Sequence, residues 1–134
     1  MVTIVRGLPG SGKTTYCKTN FPNTMHLEND MFRIYSGKYT FDDSVTTSIL
    51  IELFDFVERC LFITDGKMDI VLCCVFTSKK SIERYEYLAK KYNADFQVIR
   101  VIGNHSNIHN VPDDVYNSMK NNFQDWPNET IIHN

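Results

Sequence analysis

Residues 7–14 read GLPGSGKT, a Gly-x-x-x-x-Gly-Lys-Thr spacing set directly after the apolar run Val2-Thr3-Ile4-Val5. Residues of these types at this spacing hold phosphate. Gly7, Gly10 and Gly12 are expected to turn the backbone through φ > 0, so that successive N–H groups face phosphate oxygens. The cradle for the α- and β-phosphates is then made by Leu8, Pro9, Gly10, Ser11, Gly12, Lys13, Thr14 and Thr15. A helix expected to begin near Lys13 adds its partly positive N-terminus. Lys13 supplies a compact point charge to the β- and γ-phosphates, and the Thr14 hydroxyl is the expected ligand of Mg²⁺. The pattern implies a bound nucleotide, ATP or GTP, with its magnesium.

Chemistry on a bound triphosphate needs a proton acceptor and a charge clamp. Asp30 lies just past an expected second strand, and Arg33 follows three residues later on the same face of a short helix. Ligands of an open parallel sheet sit beyond the carboxyl ends of its strands, so both side chains should face the phosphates. Asp30 there can take the proton of an attacking hydroxyl. Arg33, with Lys13, can neutralise the charge that develops on a transferred phosphoryl group. The plainer alternative makes Asp30 a helix cap and Arg33 a solvated charge.

The elements that must position these groups alternate. Val2–Arg6 reads as a strand and residues 13–19 as a helix ended by Asn20 and Pro22. Residues 24–27 read as a short strand, 30–35 as one or two helical turns, and Ser36-Gly37-Lys38 as a turn. Val45, Ile49, Leu53, Phe56, Val57 and Cys60 recur at helical spacing and predict a packed helix to about Phe62. Residues 69–76 form a near-continuous apolar run, as in a parallel strand buried on both faces. Ser78 is an N-cap for a helix to Tyr92 with Ile82, Tyr85 and Ala89 on one face. Phe96–Ile102 reads as the last strand. A polar loop covers 103–110, and Pro112 with Asp113 and Asp114 opens a helix through Val115, Met119 and Phe123. The expected fold class is therefore α/β: a three-layer arrangement, a parallel sheet flanked by helices, built from right-handed βαβ units. Residues 1–123 make the domain. Residues 124–134 are left as a tail whose docking stays open, with Trp126 as the residue to pack it.

A chain of 134 residues, 43% hydrophobic, suits one domain. Its apolar stretches are too short to span a membrane and no leader-like segment precedes the first strand, so an intracellular, cytoplasmic location with no membrane partner is expected. Cys17, Cys60, Cys73 and Cys74 show neither metal-knuckle nor disulfide spacing and read as reduced core thiols. A net charge of −2 gives no general attraction to nucleic acid. Lys79, Lys80, Arg84, Lys90 and Lys91 share one helix, but Glu83 and Glu86 interrupt them, and a solvated face is the better reading. Tyr35, Tyr39 and Phe41 suit stacking on a base as well as they suit aromatic packing.

Five segments in order extend the reading: RGLPGSGKTT from Arg6, ENDMFR from Glu28, GKYTF from Gly37, VFTSKKSIERYEYLAKKY from Val75, and NIHNVPDDVYNSMKNNF from Asn107. Together they resemble the P-loop kinases of the polynucleotide 5′-hydroxyl kinase group, and more broadly the zeta-toxin-like kinases. The resemblance spans residues 3–123. It implies transfer of a γ-phosphoryl group to a 5′ end of RNA or DNA, with Asp30 as general base, Arg33 contacting substrate or phosphate, and Lys13 and Thr14 as phosphate and metal residues. A kinase of a small metabolite, nucleoside or nucleotide sugar, or a nucleotide-binding module with weak or lost catalysis, is the alternative.

Two departures from that pattern stand out. The strand end that carries the acidic metal-site residue in such enzymes here reads Cys73-Cys74-Val75-Phe76-Thr77, which leaves Asp30 as the only carboxylate expected near the metal. The lid segment, which carries arginine in the family, here reads Asn104-His105-Ser106. His105 and His109 are the substitute lid donors, or plain loop histidines. Arg100 can reach inward to the phosphates or pair with a buried carboxylate.

Overall fold

A computed structural model of the chain describes residues 1–28, 34–35, 38–39, 46–103 and 111–134. The elements in chain order are β1 (Val2–Arg6), α1 (Lys13–Asn20), β2 (Met25–Leu27), β3 (Ile34–Tyr35), β4 (Lys38–Tyr39), α2 (Thr46–Thr64), β5 (Ile70–Cys74), α3 (Lys79–Lys91), β6 (Phe96–Ile102), α4 (Asp113–Asn121) and β7 (Thr130–His133). Five strands form one sheet in the order β2-β5-β1-β6-β7, with every pairing parallel. The loop after β1 therefore opens from the middle of the sheet.

Alternation along the strands sorts the apolar residues into two cores. Val2, Ile4, Ile70, Leu72, Cys74 and Val98 point to one face, where Leu53, Val57 and Leu61 of α2 and Ile82, Tyr85, Leu88 and Ala89 of α3 cover them. Val5, Val71, Cys73, Ile99 and Val101 point to the other, against Cys17 of α1 and the half-buried Tyr16, Phe21 and Ile132. Both faces are thus covered, which is why β1 and β5 read as unbroken apolar runs and are buried throughout. Ser78 caps α3 as its sequence predicts, accepting from the Ser81 N–H at 3.2 Å. None of the four cysteines is in a disulfide, and all are buried.

Three features differ from the sequence reading. Phe56 does not face the core; it is exposed, and Leu61 completes the buried stripe of α2 in its place, since packing on a sheet needs only the narrow set 53, 57, 60 and 61. Residues 34–35 are not helical: they pair antiparallel with 38–39 in a small hairpin, where a β-branched residue and two tyrosines favour strand. Phe96–Ile102 is not the last strand. The segment whose docking was left open supplies β7, which adds Thr130 to His133 alongside Ile99 to Ile102, and Trp126 packs against the larger core as expected. No helix among the described residues is long and apolar enough to cross a membrane.

Candidate functional site

Leu8 to Ser11 make a tight turn closed by the Ser11 N–H on the Leu8 carbonyl at 3.1 Å. Pro9 presets the second residue of that turn, and Gly10 has the φ of 81° that the third residue of a type II turn demands. Gly12, at φ 91° and ψ 14°, is the N-cap of α1 and offers no side-chain cap. The first N–H groups of α1 are consequently left open at the loop mouth. Gly7 differs from the expectation of a positive φ, which only Gly10 and Gly12 of this loop adopt. Its reason is space: a Cβ there would lie 2.5 Å from Ser11 Oγ and 2.6 Å from the Val101 carbonyl.

Ser11 Oγ is buried and has no hydrogen-bond partner among the described residues. Lys13 is largely buried, and no ion pair among the described residues engages it. A buried cation and an orphaned hydroxyl beside open backbone donors fit a polyanion. The far side of the loop is tied down by residue 134, whose side chain donates to the Ser11 carbonyl at 3.2 Å and whose N–H donates to Ile102 at 2.7 Å.

Thr14 shows what the sequence reading missed. Its hydroxyl donates to Glu28 Oε1 at 2.8 Å, and the same oxygen lies 2.7 Å from His26 Nε2. Among the described residues Glu28 is the carboxylate placed at Thr14. It reaches there from the end of β2, the strand beyond β5, over the thiol of Cys73, which lies 3.9 Å from the Thr14 hydroxyl. The available signal was the alternation of His26 and Glu28, two polar residues on one side of a short strand end. Burial raises the Glu28 pKa, but the hydrogen bonds from His26 and Thr14 together outweigh it and hold the carboxyl below its ordinary value. His26 is shifted up, first by its hydrogen bond with Cys73 and further by Glu28, against the effect of burial. A hydrogen bond with Cys17 and then burial push the Cys73 thiol far up, so it is protonated. A cavity of about 340 Å³ opens over this cluster, lined by Thr14, Lys18, Phe21, Pro22, Thr24, His26 and Glu28.

Arg6 and Arg100 lie side by side on β1 and β6. Arg6 is fully buried; its Nε donates to the Phe76 carbonyl at 3.0 Å, one terminal nitrogen to the Gln124 carbonyl at 2.6 Å and the other to Glu129 at 2.7 Å. Arg100 does not reach for the loop. It pairs with Asp125 at 2.8 Å and with the other oxygen of Glu129 at 3.5 Å. The two guanidiniums lie 4.1 and 4.4 Å from the centroid of the Phe123 ring. Of the two readings given for Arg100, the carboxylate pairing is the one realised. Asp30, Arg33, His105 and His109 lie outside the described residues.

No family model matches the sequence, and no curated protein matches it. Solved structures match the fold. Kti12 of Chaetomium thermophilum in complex with ADP-AlF3 superposes with a TM-score of 0.73 at 14% identity, over 99% of this chain and 89% of that one. A gluconokinase from Sinorhizobium meliloti 1021 gives 0.64 at 13%, over 98% and 81%. A chain of the Pnkp1/Rnl/Hen1 complex gives 0.60 at 17%, over 87% and 38%. At these identities the likeness is one of fold.

Proposed function

We propose that this chain, whose parallel sheet, phosphate loop and flanking helices have the P-loop kinase fold, transfers the γ-phosphoryl group of ATP or GTP to a hydroxyl. The observation that carries the reading is the contact of Thr14 with Glu28 beside the open N-terminus of α1. By donating its proton to an ionised carboxylate, the Thr14 hydroxyl keeps its lone pairs for a cation. Hydroxyl and carboxylate oxygens suit Mg²⁺, whereas the Cys73 thiol does not. Thr14, with Glu28 directly or through water, would hold the ion, and the ion supplies charge neutralisation at the phosphate oxygens.

The remaining roles follow from position. The α1 N-terminus and the turned loop bind the phosphates, and Lys13 adds its charge to the transferring group. Asp30, two residues past Glu28, accepts the proton of the attacking hydroxyl as its oxygen bonds to the γ-phosphorus and the bond to the β-phosphate oxygen breaks; Arg33 steadies the charge. The acceptor proposed is the 5′-hydroxyl of a polynucleotide, on the sequence resemblance carried by the five segments between Arg6 and Phe123 and in keeping with the likeness to a Pnkp1-complex chain. The gluconokinase and sugar-kinase likenesses favour a small polyol as the second reading.

The test is transfer of labelled γ-phosphate from ATP to a 5′-hydroxyl oligonucleotide and to a panel of sugars, with calorimetric ATP binding alongside. Lys13→Ala should abolish transfer and weaken ATP binding by at least 10-fold while its thermal melt stays in place. Unchanged ATP affinity in that variant refutes the phosphate-site assignment. Tight binding with transfer to no acceptor leaves a binding module.

A further inference from the structure

His26, Glu28 and Cys73 bring one nitrogen, one oxygen and one sulfur donor within 4.8 Å of one another at the ends of two neighbouring strands. We propose that these three side chains form a binding site for a borderline-soft divalent cation, zinc in kind, under the Thr14 hydroxyl. The donor set is the first reason. Imidazole with thiolate selects Zn²⁺ or its relatives over Mg²⁺, which takes oxygen ligands. Size is the second: metal–ligand bonds of roughly 2.0–2.3 Å in a tetrahedron hold ligand atoms roughly 3.3–3.7 Å apart. His26 Nε2 and Glu28 Oε1 need only spread from their present 2.7 Å, and the thiol needs only close in.

The surroundings complete the site. Glu28 and Cys73 are buried, so their positions are set by packing, while Thr14, His26 and Glu28 line the 340 Å³ cavity through which an ion can enter. Three protein ligands leave a fourth position on the cavity side, filled by water or by the Thr14 hydroxyl. Binding replaces the thiol proton of Cys73 and any proton on His26 Nε2, both released to solvent. A zinc ion on Glu28 takes up carboxylate lone pairs that Mg²⁺ would share at Thr14 and sets a like charge beside it. Zinc should therefore oppose binding of magnesium nucleotide, a consequence that rests on the function proposed above, whereas the metal site itself does not.

The test needs no nucleotide. Full-length protein is titrated with Zn²⁺ against a chromogenic chelator, and with Co²⁺ by absorption. Expected are one ion per chain, a thiolate-to-cobalt charge-transfer band, and affinity at least about 100-fold weaker in both Cys73→Ser and His26→Gln, since loss of a direct ligand should exceed the 10–100-fold cost of losing an outer-shell partner. Absence of the band in the wild type overturns the proposal whether or not the variants fold. So does zinc affinity unchanged in His26→Gln, whose ring, 17% exposed, belongs to neither hydrophobic core. ATP titration of zinc-loaded protein then checks the antagonism: equal affinity with and without zinc removes that consequence alone.

Discussion

Glu129→Ala should destabilise the protein by about 3 kcal/mol. The carboxylate bridges two guanidiniums, and its own side chain is 5% exposed. Removing one partner of a buried pair costs roughly 3–5 kcal/mol, because the remaining charge stays desolvated. Arg6 keeps its bonds to the Phe76 and Gln124 carbonyls and its stacking on Phe123, which places the loss at the low end. Burial and, more weakly, the neighbouring Arg100 disfavour the charged form of Arg6, and Glu129, ahead of Asp125, opposes them. For a domain of this size 1 kcal/mol moves the melting temperature by about 3–5 °C, so a fall of about 9–15 °C is expected by circular dichroism, with a matching loss in urea. Glu129→Gln, which keeps one acceptor oxygen, should lose about half as much. A melt of Glu129→Ala within about 3 °C of wild type would refute the reasoning and reduce the clamp to a surface ion pair.

Two further substitutions probe the loop. Glu28→Gln should leave the fold intact and raise the Mg²⁺ concentration needed for half-maximal ATP binding by about 10-fold, the scale of outer-shell ligands; an unchanged midpoint means that another group orients Thr14. Gly7→Ala forces a methyl to within 2.6 Å of the Val101 carbonyl, so it should cost about 1–3 kcal/mol in urea unfolding and weaken ATP binding with it. A stable variant with full affinity would show that the loop has slack the structure does not predict.

The phosphate loop was legible because its information is local. Pro9, Gly10 and Gly12 meet backbone requirements a residue or two away, and Lys13 and Thr14 follow at fixed offsets on one helix. The strands β1, β5 and β6 were legible for the same reason, as apolar runs of the right length. Glu28 was not, because its neighbours Thr14 and Cys73 reach it only through the pairing of β2 with β5, and register between distant strands leaves no mark on either segment alone. Strand β7 was hidden likewise: four residues, of which Ile132 packs and Ile131 stays half exposed, carry too little period to stand out. Arg6 read as part of the loop pattern, and nothing near it in sequence announces Gln124 or Glu129.

The central place of β1 sets a timetable for synthesis. β1 is made before both of the strands it must sit between, β5 and β6, and Val2 finds its neighbours only at Ile70 and Phe96. Arg6 waits longer still, its counter-charge lying 123 residues downstream. At roughly 5–20 residues per second that interval lasts about 6–25 s, against the microseconds in which an apolar chain collapses. For those seconds Val2-Thr3-Ile4-Val5 has neither of its native neighbours, and its apolar side chains must be covered by contacts other than the final ones.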